Sequence, residues 1–477
     1  MIAGPWVLIG VPLAVAPLVY LVRRWAFLGT CLSAGTATAL AWLCFIAPPD
    51  QPVTLFGRSL LLGQPVAMLG RELALTPASQ VALGFLFAVA GASFLLAWPV
   101  SPGRSFFPLG LALLSGWTAA ILMRHFAFAV VILWLTSTLA TMVIQGGRLA
   151  STQGATRQMI VLTLAVPLLL VTSTLLELRA VNPDDFLHTR AAILLTATGL
   201  AALLAAFPFE GWASAMAIDA QPGVLSFLLT GYQVVALLLT LDLFHDQPWL
   251  VANGQALSLL AWGGLLAATI GGSLAAVQRH FASLLGYTAL NDLGVGLVAL
   301  ALANDTGLTI ALFLIPTRAV GLLLAGASLA VFRRRGEGTS FSKMREVGRR
   351  LPLATTGLLV GGLSLSGFPL TAGFVARWAL LGQLAPTGDL WMWALLISSV
   401  SAVLGWLRGA RALLTPDSDA PSIQRTPFVA GVMILALIVT CLWLGRHPDW
   451  LLAQLSPLVD AYVPLIPLSG STVLGQG

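Results

Sequence analysis

Fourteen apolar runs follow one another along the chain, near residues 3–22, 26–47, 76–98, 106–123, 125–146, 157–177, 190–208, 222–243, 255–277, 282–303, 307–332, 351–383, 387–409 and 427–445. A run of roughly 20 apolar residues is the length that crosses a bilayer as a helix. In hydrocarbon every backbone N–H and C=O must find a partner inside the protein, so such runs have to be helical. The predicted fold class is therefore an all-α polytopic membrane protein with about fourteen transmembrane helices. Composition agrees: 58% of residues are hydrophobic and 9% charged, with mean hydropathy +0.92, against about 25% charged in soluble domains. Residues 50–75 alternate apolar and polar side chains around Gly57, Gly63 and Gly70, which predicts a short extramembrane hairpin. The stretch 447–477 is too rich in proline for a further span and is expected at or outside the membrane surface.

Two runs are interrupted. In Leu363–Trp378 the helix meets Gly367 and Pro369, and in Ala205–Trp212 it meets Pro208. Proline lacks the N–H and clashes with the preceding turn, so a helix must break or kink at each. Interrupted segments in corresponding halves of a transporter-like chain point to two inverted repeats with the pathway at mid-membrane. The expected divisions are 1–104 (first spans and hairpin), 105–245 and 246–411 (the two repeats) and 412–477 (last span and surface segment).

Charge placement predicts orientation. Of 24 basic residues, 16 fall in alternate loops on one side, including Arg279, Arg345, Arg408 and Arg411, and 6 on the other, with Arg318 and Arg377 left inside spans. Cytoplasmic loops retain basic residues, so both termini are expected outside. The acidic stretch Asn182–Asp185 falls on the outer side, and Arg23-Arg24 marks the first run as a retained span. The net charge of +6 does not imply nucleic acid as a partner, because its placement is accounted for by topology. Only one basic residue, Lys343, is a lysine, and it lies in a loop. Arginine effectively never loses its proton in a protein, so no mechanism with an intramembrane lysine applies. Cys31, Cys44 and Cys441 have no metal-ligand spacing and read as buried small hydrophobes. The five histidines are scattered, and no Walker-type loop or nucleophile triad is present.

Four ordered stretches carry a resemblance. Phe207-Pro208-Phe209-Glu210-Gly211-Trp212, the run Gln278-Arg279-His280 through Tyr287, Arg318 through Leu324-Ala325-Gly326, and Leu363–Pro369 with Gly373-Phe374-Val375-Ala376-Arg377-Trp378 resemble the antiporter-like membrane subunits of respiratory complex I (NADH-quinone oxidoreductase). That family is shared with multisubunit sodium/proton antiporters and membrane-bound hydrogenases. The resemblance implies proton translocation along a mid-membrane line of ionisable residues in a hetero-oligomeric complex of a bacterial inner membrane. No cofactor is expected in this chain; NADH, flavin, iron–sulfur clusters and quinone would belong to partner subunits.

Against that pattern the first half is emptied of titratable groups. The fifth-span glutamate position reads Leu133-Trp134-Leu135-Thr136-Ser137-Thr138, the seventh-span lysine falls at Leu203, and the eighth-span lysine near Gln233–Val235. In the second half Asp292 stands on the tenth span, and Arg318 and Arg377 match basic positions of the eleventh and twelfth. An unpaired charge at the bilayer centre costs at least about 2.5–3.5 kcal/mol, so Asp292 is expected to neutralise Arg318 or Arg377. Their plainer role is a lock between helices. Glu210 is either a proton-entry group or a carboxylate at the start of a half-helix, where the dipole favours it. Asp219 is expected to cap or end its segment, and Tyr232, Gln233 and Tyr287 to bond between helices. The functions expected are, first, a membrane subunit of a redox-driven ion-translocating assembly with weakened conduction. The alternatives are a non-pumping structural subunit, or the membrane partner in another ion-coupled uptake complex.

Overall fold

In the computed structural model the described residues are 2–463 apart from 56–57, 69, 101–102, 104, 147–151, 184, 335–337, 346, 388–389 and 416–425. Arg104, Arg148, Arg335 and Arg425 of the charge count, with Asp184 and residues 464–477, lie outside the described residues. The chain opens with α1 (Gly4–Leu21), α2 (Ala26–Ile46), α3 (Pro77–Val100), α4 (Phe106–Leu122), α5 (Phe126–Gln145) and α6 (Gln153–Val181). It continues through α7 (Phe186–Leu203), a short α8 (Gly211–Asp219), α9 (Pro222–Asp246), a short α10 (Pro248–Asn253), α11 (Gln255–Val277), α12 (Phe281–Ala301) and α13 (Asp305–Arg334). After α14 (Val347–Arg350) come α15 (Pro352–Leu365), α16 (Ala372–Leu384), α17 (Leu390–Leu414), α18 (Phe428–Arg446) and α19 (Pro448–Tyr462). Every apolar run of the sequence carries a helix. Among the described residues 12 helices are long and apolar enough to cross a membrane, while α4 and α15 are shorter. The chain is a multi-pass membrane protein.

One expectation is corrected. Residues 50–75 form two hairpins: β2 (Val53–Leu55) pairs antiparallel with β3 (Arg58–Leu61), and β4 (Val66–Met68) with β5 (Arg71–Leu73). The N-terminal β1 (Ile2–Ala3) pairs in parallel with β3, because a hairpin edge left open offers a row of unpaired backbone groups. The segment after Arg446 supplies no candidate span among the described residues, but it is helical up to Tyr462. It forms α19, whose Leu451, Leu455, Leu458 and Tyr462 recur at helical spacing and are buried against α3 and α13. The Tyr462 hydroxyl donates to Asp242 Oδ1 of α9 at 2.5 Å.

Enclosure is uneven, and it decides where charge can sit. The apolar window of α9 is 100% buried, that of α12 89% and that of α13 83%, whereas α1, α6, α17 and α18 are each 33% buried. These three central helices carry Gln233, Asp292 and Arg318. Small residues let them approach their neighbours: a Cβ on Gly294 of α12 would lie 2.3 Å from the Gly264 oxygen of α11.

At both prolines the helix is interrupted, and the two helix ends close alike. At the first, Ala206 N–H donates to the Ala201 oxygen at 2.8 Å with Ala205 left-handed at φ +55. At the second, Phe368 N–H donates to the Leu363 oxygen at 2.9 Å, Gly367 N–H to Ser364 at 3.0 Å, and Gly367 has φ +74. This is the Schellman closure, in which a left-handed residue just past the helix lets later N–H groups turn back onto orphan carbonyls. Phe207–Pro208 is cis. At the second break Phe368 and Leu370 are 39% and 77% exposed in this chain, while Ser364–Ser366 and Arg377 on either side are buried.

Candidate functional site

Asp292, Arg318 and Arg377 meet in the enclosed core, at 2%, 5% and 4% exposure. Arg318 Nε donates to Asp292 Oδ2 at 2.5 Å and Arg377 Nη2 to Oδ1 at 3.0 Å, so each carboxylate oxygen takes one guanidinium. Arg318 Nη2 also donates to the Asp292 backbone oxygen at 3.1 Å and Nη1 to Gln233 Oε1 at 2.9 Å. Arg377 Nη1 donates to Asn291 Oδ1 at 2.8 Å and Ser399 Oγ at 2.7 Å, and Nη2 also to the Leu365 oxygen at 2.6 Å. Three helices, α12, α13 and α16, are thus joined through one carboxylate, while α9 joins through Gln233 and α17 through Ser399. Buried ions persist only with such pairing and extra hydrogen bonds.

The second break builds part of this site. The last carbonyls of a helix have no partner within it, and α15 ends at Leu365, whose oxygen Arg377 takes. Gly367 makes room for the arginine: a Cβ there would lie 2.1 Å from Arg377 Cδ. Asn291, in turn, donates from Nδ2 to the Ala268 oxygen at 2.8 Å and Ser398 Oγ at 3.0 Å, which fixes its own oxygen toward Arg377.

Glu210 stands apart from the bridge. It precedes α8, is half-buried and makes no side-chain cap; its Oε2 has no protein partner among the described residues. Asp219, at the other end of α8, accepts from Gly154 N–H at 2.5 Å in the first turn of α6. Pro208, Gly367 and Pro369 lie between the half-helices as described.

Toward the first half the bridge faces a cavity of about 40 Å³ lined by Leu203, Leu204, Trp212, Gln233, Gly296 and Arg318, among others. A water needs about 10–15 Å³ of such space and two or more polar partners. Arginine can only donate, so Gln233 must turn its oxygen to Arg318 and its NH2 elsewhere. Gln233 Nε2 and Trp212 Nε1 are both buried without a protein partner among the described residues. A second, smaller space of about 10 Å³ lies at Ser137, Leu203 and Tyr232, whose hydroxyl is likewise without a protein partner. The hydroxyls of Thr136 and Ser137 are returned to their own helix, at Ile132 and Leu133. Val235 is fully buried.

Sequence reasoning passed over Asn291, Ser398 and Ser399. A signal existed for the first: Asn291-Asp292 places two polar residues side by side within an apolar run. The Leu365 carbonyl has no sequence signal, since any residue supplies one.

A polytopic helical membrane protein with two broken helices and a charged bridge at its centre falls in the class of antiporter-like membrane subunits. The family described as NADH:quinone oxidoreductase/Mrp antiporter, transmembrane, matches residues 159–405, which cover both breaks and the bridge, and the chain belongs to that family. Subunit N of NADH-quinone oxidoreductase from Rhodococcus opacus is 28% identical over 264 residues, 54% of this chain and 48% of that protein. The chain spans about half the length of the curated relatives it matches. Its fold is similar to a chain of respiratory complex I from Thermus thermophilus (TM-score 0.76, 18% identity, 97% of this chain and 99% of that one). A chain of the archaeal membrane-bound sulfane sulfur reductase gives TM-score 0.80 at 16% identity, covering 94% and 77%.

Proposed function

We propose that the chain is an antiporter-type membrane subunit of a hetero-oligomeric, redox-driven ion-translocating assembly in a bacterial inner membrane, and that its own proton path is locked. The observation that carries this reading is the bridge itself. Both intramembrane cations are arginines, which cannot pass a proton by losing one, and both are spent on the same carboxylate. To take up a proton, Asp292 has to give up two ion pairs inside an enclosed core. Beside it, Leu203 and Val235 offer nothing that titrates. The chain then serves as a spacer that keeps a fixed charge, Arg318–Asp292–Arg377, in register with whatever neighbours carry the flux. NADH, flavin, iron–sulfur and quinone chemistry belongs in this reading to partner chains. The shared closure at Ala205 and Gly367 supports residues 105–245 and 246–411 as two inverted halves, and both termini lie outside.

The test is direct. Purified chain in proteoliposomes, under an imposed potential and with a pH-sensitive dye, is expected to pass protons no faster than protein-free vesicles. Flux above that background which Asp292→Asn abolishes would overturn the locked path. Purification from native membranes identifies the assembly: redox subunits favour this reading, and a single soluble partner the uptake alternative.

A further inference from the structure

Four of the 16 basic residues that the sequence places on one side, Arg279, Arg345, Arg408 and Arg411, come together in space. They line an open cavity of about 820 Å³ with Ser340 and Ser342 at the ends of α11, α12 and α17, and no carboxylate lines it among the described residues. The pocket is held in shape. The loop 338–345 is pinned to the α11–α12 junction by a bridge between His280 and Ser340, by Phe281 N–H to the Thr339 oxygen and by Phe341 N–H to the Arg279 oxygen, both at 2.9 Å. The Phe341 ring packs on the buried Phe281 ring with centroids 4.6 Å apart. Arg408 is fixed by donating to the Ala276 oxygen near the end of α11. The start of α12 at Phe281 adds the positive end of a helix dipole to the same place.

What adjoins the pocket says which anion it takes. Leu274 and Val277 of α11, and Leu404 and Leu407 of α17, are 37%, 61%, 50% and 49% exposed and run from the pocket along two helices packed side by side. A cationic cup opening onto an apolar strip at a membrane surface matches a molecule with a phosphate head and hydrocarbon tails. We propose that this pocket binds the phosphate headgroup of an anionic phospholipid of the adjoining leaflet, with its acyl chains along Leu274, Val277, Leu404 and Leu407. Guanidinium groups suit it because they fork onto phosphate oxygens in pairs. This inference does not depend on whether the chain conducts protons.

Native mass spectrometry of the full chain, delipidated and then titrated with phosphatidylglycerol, cardiolipin, phosphatidylcholine or inorganic phosphate, tests it. The expected result is one anionic lipid bound per chain well ahead of phosphatidylcholine. Each arginine near a membrane surface contributes roughly fivefold in affinity. Arg345→Gln, on a loop outside every helix, is therefore expected to weaken anionic-lipid binding about fivefold, and Arg279→Gln with Arg411→Gln about 30-fold, with phosphatidylcholine binding and the unfolding temperature unchanged. Equal affinity for phosphatidylcholine, or unchanged anionic-lipid affinity in both variants, overturns the proposal. So does binding of inorganic phosphate without lipid, or, in the native assembly, cross-linking of Arg345→Cys to an acidic segment of a partner with no lipid retained.

Discussion

Asp292→Asn is the substitution whose consequence follows most directly from the geometry. The carboxylate accepts from Arg318 at 2.5 Å and from Arg377 at 3.0 Å, and all three residues are at least nine-tenths buried. Asparagine has the same shape but only one side-chain oxygen. It can keep one of the two arginines and must turn its NH2 onto the other, donor against donor. It also leaves two guanidinium charges in the core with no anion. Removing one partner of a buried ion pair costs about 3–5 kcal/mol, and a single pair at about 4 Å in an effective dielectric of 20 is worth about 4 kcal/mol, so the two figures agree. Against a whole-protein stability of about 5–15 kcal/mol this is large. The 15 tryptophans provide the readout, and Trp406, which donates to Thr288 Oγ1 one turn from Asp292, sits close to the change. Unfolding of detergent-solubilised protein followed by tryptophan fluorescence should show a marked fall in transition temperature, with reduced yield. If the cost is uncompensated charge, Asp292→Asn combined with Arg377→Gln should recover part of it, as coupled neighbours do by about 0.5–3 kcal/mol. A single variant as stable and as abundant as the parent, or a double variant no better than the single one, refutes the charge-bridge account.

Gly367→Ala is expected to destabilise by about 2.5–5 kcal/mol, because alanine is penalised in the left-handed region and its methyl displaces Arg377 from a charged hydrogen bond. Ala205→Gly, at the equivalent place of the first break, is expected to change stability by less than about 1 kcal/mol, since relief of the φ +55 backbone is offset by loss of a buried methyl; paired unfolding curves check both. Burial, followed by the Asp242 carboxylate, raises the Tyr462 phenol pKa, so it stays a donor. Tyr462→Phe should therefore cost about 1.5–3 kcal/mol and release α19, seen as faster proteolysis near His447. The N–H of His188, then its ring, hold the Asp185 carboxyl below the usual carboxylate range, and Asp185 caps α7 by accepting from Leu187 and His188 N–H. A lowered folded value means that this contribution is complete above the unfolded value and is lost as pH falls through the folded one. Hydrogen exchange at Leu187 and His188 should accelerate only under such acid conditions, and in Asp185→Ala the acid dependence should vanish.

How far the sequence could be read depended on the scale of the force involved. Span number follows from hydropathy summed over some twenty residues, and each run became a helix. Ends depend on single hydrogen bonds, which is why the run 190–208 stops at Leu203, where the chain turns left-handed at Ala205, and begins at Phe186, where Asp185 caps it. Helix α19 escaped because run length is the wrong test for a helix buried on one face only. At the site, Asp292, Arg318 and Arg377 were conspicuous because charge in hydrocarbon demands an account. Their neutral partners, Gln233, Asn291, Ser399 and the Leu365 oxygen, are assigned by tertiary packing and by where α15 ends.

The last of these partners explains why the two breaks, though closed by the same backbone turn, differ in use. Ending a helix in mid-membrane strands carbonyls that lipid cannot satisfy. At the second break Arg377 sits in the second turn of α16, where its Nη2 takes the Leu365 oxygen and Asp292 Oδ1 and its Nη1 reaches Asn291 and Ser399. The cation and the break therefore stabilise each other: the guanidinium needs an acceptor that an unbroken helix would withhold, and the helix end needs a donor. At the first break no cation donates to the end of α7 among the described residues. The α7 end at Leu203 and Leu204 borders instead the about 40 Å³ cavity where Trp212 and Gln233 keep spare N–H groups. The second helix break is closed by an ion lock, and the first borders a small, largely apolar chamber with Gln233, Trp212 and Arg318 at its polar edge. Arg318 joins the two, its side chain lining that chamber and its Nε on Asp292.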